Sequence, residues 1–160
     1  MNNNDLDDLL VLFYYGYKTF TSEPDRILEK YKIQRTHHRI LFFINKFPGI
    51  SVNKLLKLLD ISKQALQTPL KQLIDMNLVE SSKSEKDQRI KELRLTSSGT
   101  KLANELTKVQ NKKMNAIFNS LGDEYKENWK TVMKKLASDI DGYSIWKKIH
   151  INIRNNYISI

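Results

Sequence analysis

Lys63, Gln64, Gln67, Thr68 and Lys71 lie within nine residues at spacings that put them on one side of an α-helix, one or two turns from its start. Side chains of these types form hydrogen bonds to base edges. Gln pairs in bidentate fashion with adenine, Lys reaches guanine, and Thr meets either a base or a thymine methyl. Ser62, just before them, is a helix cap whose first turn can hold a phosphate, and Ser51 occupies the same position for the preceding helix. Some twenty residues downstream come Lys86, Asp87 and Arg89 in a charged turn. An Arg at such a tip suits the narrow, strongly negative minor groove of A·T-rich DNA, and a neighbouring Lys suits phosphate. The chemistry on offer is recognition of double-stranded DNA. Catalysis has no comparable support: no nucleophile–base pair, phosphate loop or metal cluster stands at a usable spacing, so neither enzyme nor cofactor is expected. His37 and His38 are adjacent, about 100° apart on a helix, and with His150 alone besides them and no Cys, a metal site is not expected.

These side chains need positioning elements, and the chain supplies them. A helix from about Thr36 to Lys46, with Ile40, Leu41, Phe43, Ile44 and Phe47 inward, is stopped by Pro48-Gly49. Ser51 caps a helix carrying Leu55, Leu56, Leu58 and Leu59, Asp60-Ile61 turns, and Ser62 caps the next. That helix buries Ala65, Leu66, Leu70, Leu73 and Ile74, with Pro69 costing a backbone donor, normally about 3 kcal/mol, and producing a bend. Leu78–Lys83 and Lys91–Leu95 alternate as strands of a hairpin whose tip is Ser84–Ile90. Thr96 caps a long helix with Leu102, Leu106, Val109, Ile117 and Leu121 on one stripe. Gly122 ends it and Asp123 caps another.

The chain's flanks look different. Asp5 caps a first helix with Leu6, Leu9, Leu10, Phe13, Tyr14, Tyr17 and Phe20 at helical spacing, broken by Thr21-Ser22-Glu23-Pro24. Tyr125, Trp129, Val132, Leu136 and Ile140 form a second apolar stripe, ended by Gly142. From Tyr143 to Ile160 a short helix and a strand-like end are expected. Stripes this apolar call for a large partner surface. Leu9, Phe13, Trp129, Val132 and Leu136 are the expected contacts of a self-complementary two-fold homodimer.

Charge follows the same division. Of the net +9, residues 30–101 carry 15 Lys/Arg against 6 Asp/Glu, while the flanks carry 12 of each. A basic excess confined to one segment is a nucleic-acid footprint. The longest apolar run, Leu9–Tyr15, is far short of the roughly 20 residues a membrane helix needs, and the polar start is unlike a signal peptide. A cytoplasmic, nucleoid-associated protein with no membrane partner is expected.

The spacing Asp-x-Arg, five residues, Leu-Thr-x-x-Gly stands here without a gap as Asp87, Arg89, Leu95, Thr96 and Gly99. With the run Ser62–Leu73 and the following Asn77-Leu78-Val79, the chain resembles the MarR family of bacterial transcription regulators, most closely over Thr36–Leu106. The resemblance implies a mainly α fold with a small β-hairpin wing: a winged helix-turn-helix lobe at 33–100, a helical dimerisation region at 1–22 and 101–142, and a tail at 143–160. It implies that Arg89 enters the minor groove and that Asp87 holds its guanidinium. It also implies a homodimer, typically a repressor of a pseudo-palindromic promoter site, released by a small-molecule effector. An aromatic crevice near Phe13, Tyr17, His38 and Phe42 is the candidate effector site. A sequence-tolerant architectural DNA-binding protein is the alternative on the basic patch alone.

Overall fold

The structure of the protein, a computed structural model, describes residues 3–158, with side chains described for 5–150. Seven helices and three strands follow in the order α1 (Asn3–Lys30), α2 (Arg35–Lys46), β1 (Ile50–Ser51), α3 (Val52–Leu59), α4 (Lys63–Asp75), β2 (Val79–Lys83), β3 (Lys91–Leu95), α5 (Ser97–Leu121), α6 (Asp123–Ala137) and α7 (Asp141–Ile158). This is a winged helix-turn-helix lobe carried on long helices, as expected.

The lobe is built around a single core. Ile40, Leu41 and Ile44 of α2, Leu55 of α3, Leu66 and Leu73 of α4, Leu93 of β3 and Leu102 and Leu106 of α5 are almost wholly removed from water. Each buried Leu or Ile contributes about 1.5–3 kcal/mol relative to exposure. Beside these stand Leu28 of α1 and Val79 of β2. Ala65 and Ile74, expected on the buried side of α4, are exposed instead. The helix turns only Leu66, Leu70 and Leu73 inward, a stripe of step four and three. α4 runs unbroken through Pro69.

The sheet is antiparallel in the order β1-β3-β2. The short strand β1, with Ile50 opposite Leu93, has too few residues for any alternation to announce it. β2 and β3 pair from Val79–Leu95 to Lys83–Lys91, which sets the hairpin register.

The junction of wing and α5 explains the Leu-Thr-x-x-Gly spacing. Thr96 Oγ1 accepts from the Gly99 amide at 3.0 Å and donates to the Asn77 carbonyl at 2.8 Å, while the Thr96 amide donates to the Leu78 carbonyl at 3.1 Å. The start of α5 is thereby pinned to the end of α4. A Cβ on Gly99 would stand 1.9 Å from the Leu78 carbonyl oxygen, so only glycine permits this approach.

Several boundaries differ from expectation. Thr21–Pro24 does not break the first helix, which continues to Lys30 and carries the expected 1–22 segment into the lobe. Pro24 is buried together with Ile27 and Leu28, Thr21 Oγ1 bonds back to the Tyr17 carbonyl, and Lys113 Nζ of α5 caps the Thr19 carbonyl at 2.9 Å. The burial of Pro24, Ile27 and Leu28 offsets the donor lost at Pro24. Asp5 lies in the first turn of α1. Asp123 opens α6 without a side-chain cap, since Gly122 holds the cap position.

α6 ends at Ala137, which leaves Ile140 in the turn. Gly142 is not the stop but a contact. It sits buried in the first turn of α7, where a Cβ would lie 2.6 Å from the Leu58 carbonyl oxygen of α3. α7 is helical to Ile158 in place of the expected strand-like end. Ile160 and the side chains of Ile151, Ile153, Arg154 and Ile158 lie outside the described residues. Among the described residues no helix is long and apolar enough to cross a membrane.

Candidate nucleic-acid interface

Ser62 caps α4 by accepting from the Ala65 amide at 3.2 Å, and Ser51 caps α3 by accepting from the Lys54 amide at 3.3 Å. Asp60, with φ +52°, makes the tight turn between them. With Leu66, Leu70 and Leu73 packed inward, α4 presents Lys63 and Gln64 in its first turn, and Gln67, Thr68 and Lys71 beyond it, to solvent.

The hairpin tip is organised by local bonds. Ser84 is buried, its amide donating to the Ile90 carbonyl at 2.8 Å, and its hydroxyl accepts from the Lys86 amide at 3.3 Å. Asp87 Oδ1 accepts from the backbone amide of Arg89 at 3.0 Å, whereas the guanidinium Nε lies 3.8 Å away. The carboxylate therefore shapes the backbone of the turn more than it holds the guanidinium. The Arg89 side chain is 94% exposed, free to reach outward.

Between wing and α4 lies an open crevice of about 570 Å³. It gathers Ser51, Lys63, Gln67, Lys71 and Arg89 around a floor that includes Leu66, Leu70 and Leu93. Lys91 joins them, and no carboxylate lines it. Four cations on a concave surface, with Asp87 beside Arg89 outside the lining, focus a positive potential there. Gln64, Thr68 and Lys86 are exposed but outside this lining. Lys91, Asn53 and Ser81 were not singled out in the sequence. Lys91 opens β3 on the same face as Leu93 and Leu95, where alternation calls for an apolar residue and gives a cation no signal.

The second predicted cluster is partly assembled. Arg35, the first residue of α2, grips Asp25 of α1 through Nε–Oδ1 at 2.9 Å and Nη2–Oδ2 at 2.6 Å. It also donates to Thr21 Oγ1 at 3.0 Å and to the Tyr17 hydroxyl at 3.3 Å, with its guanidinium 5.3 Å from the Tyr17 ring centre. The hydrogen bond from Arg35 holds the Asp25 carboxyl below its ordinary value, against the opposing effect of burial. His38 is half-buried, and that burial lowers its pKa, with the charge of Arg39 adding and that of Asp25 opposing. Phe42 is half-buried with its ring edge-on to Phe43, and Phe13 stands exposed one turn before Tyr17. Thr21, Asp25 and Arg35 are the residues here that sequence reasoning missed. Their partners lie on different helices, ten or more positions apart.

The expected dimer residues are all open to solvent in the single chain: Leu9, Phe13, Trp129, Val132 and Leu136 are 47–64% exposed.

The sequence profile of the MarR family matches residues 31–90, the span from the turn before α2 to the wing tip. The HTH-type transcriptional regulator PetP of Rhodobacter capsulatus is 37% identical over 123 residues, 77% of this chain and 74% of PetP. The chain belongs to the MarR family of transcription regulators. Solved structures share the fold. That of an S. aureus MepR–DNA complex superposes with a TM-score of 0.66 at 23% identity, covering 81% of this chain and 96% of MepR. That of NadR in complex with 4-hydroxyphenylacetate gives 0.66 at 24% identity, covering 80% of this chain and 91% of NadR.

Proposed function

We propose that this MarR-family chain is a homodimeric, sequence-specific DNA-binding regulator that represses transcription from a pseudo-palindromic promoter site. The observation that carries the reading is the carboxylate-free crevice in which Lys63, Gln67, Lys71 and Arg89 converge beside the Ser51 cap. Lys63, Gln64, Gln67, Thr68 and Lys71 read base edges in the major groove. Ser51, Ser62 and Lys86 meet phosphates, and Arg89 enters the minor groove. Residues 33–100 act as the DNA-binding lobe. The apolar stripes of α1 and α6, within 1–22 and 101–142, close on a second copy and set two recognition helices about 34 Å apart. A small-molecule effector bound between α1 and α2, beside Phe13, Tyr17, His38 and Phe42, releases the DNA. The solved complexes of MepR with DNA and of NadR with 4-hydroxyphenylacetate agree with both parts of this reading in proteins of the same fold.

The test is selection of bound fragments from the source genome, followed by titration of the best fragment against scrambled DNA at two salt concentrations. The expected result is a recurring inverted repeat bound about a thousandfold or more tighter than the scramble. Equal binding to both, with a steep salt slope, would assign the chain to sequence-tolerant architectural binding instead.

A further inference from the structure

Buried in the first turn of α2 is a histidine that the DNA-facing surface does not use. His37 is 5% exposed. Its Nδ1 accepts from the backbone amide of Gln34, the residue capping α2, at 3.0 Å. Nδ1 is therefore the unprotonated nitrogen, and in the neutral ring Nε2 carries the hydrogen. Nε2 lies 3.0 Å from Gln72 Oε1, so it donates to that oxygen. Gln72 belongs to α4, the helix whose other face carries Lys63, Gln67 and Lys71, and its Nε2 reaches the Lys32 carbonyl in the turn before α2 at 3.5 Å. Every polar atom of this pair has a directional partner. Apolar contacts leave a helix free to rotate slightly about its axis, whereas hydrogen bonds fix an angle.

We propose that His37 is a positioning residue for base reading: through Gln72 it fixes the rotation of α4 against the first turn of α2. This inference rests on the regulatory reading above. The same turn begins with Arg35, which α1 grips through Asp25, Thr21 and Tyr17. One helical turn is thus held by α1 at Arg35 and by the back of the recognition helix at His37, the two side chains being joined through the backbone of that turn. The attitude of α1 is passed to the reading face through that rigid turn. A small rotation of α4 displaces every base-reading side chain together, so discrimination between sequences suffers while attraction to phosphates does not.

The test compares Gln72→Met and Gln72→Glu with the native dimer, measuring affinity for the selected operator and for scrambled DNA. Gln72 is only half-buried, so both variants are expected to fold, which circular dichroism checks. Met fills the same space without an acceptor. It is expected to lower the ratio of specific to non-specific affinity about tenfold, with scrambled DNA bound as before. Glu keeps the acceptor for His37 Nε2. Its charge weakens both affinities alike, and the ratio returns to near the native value. A merely structural role would not make the ratio follow the acceptor. A native ratio in Gln72→Met, or a ratio in Gln72→Glu as poor as in Gln72→Met, overturns the proposal. A native protein that prefers no sequence overturns the regulatory reading, and this inference with it.

Discussion

The lobe and the helical arms handle apolar side chains in opposite ways. In the lobe, Ile40, Leu41, Ile44, Leu55 and Leu93 are 0% exposed, and the outward surface is polar and basic. On the arms, Leu10 is 68% exposed, Leu12 66% and Val132 64%. Within α1 the stretch Leu9–Tyr15 is apolar around its whole circumference. A helix of that kind is stable only when enclosed. The lobe thus completes its core within one chain, while the arms hold their apolar surface for something outside it. Contacts within the chain account for the first region, and the second is the surface that the proposed homodimer would enclose.

Substitutions can break this contrast, and the largest effect belongs in the lobe. Gly99→Ala places a methyl within 1.9 Å of the Leu78 carbonyl and forces the start of α5 off the wing. A loss of about 3 kcal/mol or more is expected in urea denaturation; native stability would show the junction to be compliant. On the arms, Trp129→Asp should leave the lobe folded and weaken the dimer about a hundredfold or more, read by sedimentation beside circular dichroism. A dimer of unaltered strength would remove α6 from the interface. On the DNA side, Arg89→Ala should cost about 10- to 100-fold in operator affinity, with the sedimentation of the free protein unchanged. Unchanged operator affinity would mean that the wing tip does not touch DNA.

The smallest effect concerns the seam between the two regions. His38 titrates below its ordinary value of 6.5, so between that value and its folded pKa the unfolded chain binds more protons than the folded one. Stability is full above that interval, falls as pH drops through it and levels off below, at no more than about 1.4 kcal/mol per pH unit. Urea midpoints at descending pH should show this decline, flattened in His38→Gln. A native midpoint that rises on acidification would contradict the assignment.

The sequence made the lobe legible because its signals are local. Ser51, Ser62 and Thr96 cap the helices they precede, Gly122 ends α5, and β3 occupies Lys91–Leu95 as the alternation indicates. What escaped depends on partners distant in sequence. Pro24 reads as a breaker until Ile27 and Leu28 are seen buried beside it, and Gly142 reads as a stop until α3 is found against it. His37 reads as half of an unusable pair, because Gln72, its partner, stands 35 residues away. The candidate interface was legible as residue types on a helix and a tip. That Lys91 joins them depends on the hairpin register, which side-chain alternation alone does not place against α4.

An unbroken α1 has a mechanical consequence. Its 28 residues make a rod about 42 Å long. Pivoted where Ile27 and Leu28 enter the core, such a rod turns a tilt of about 5° into a displacement of about 3 Å at its far end, close to the 3.4 Å rise of one base pair along a DNA strand. In the proposed dimer the gearing runs both ways: a wedge only an ångström or two thick near the pivot would shift the spacing of the two lobes by close to one step of the double helix.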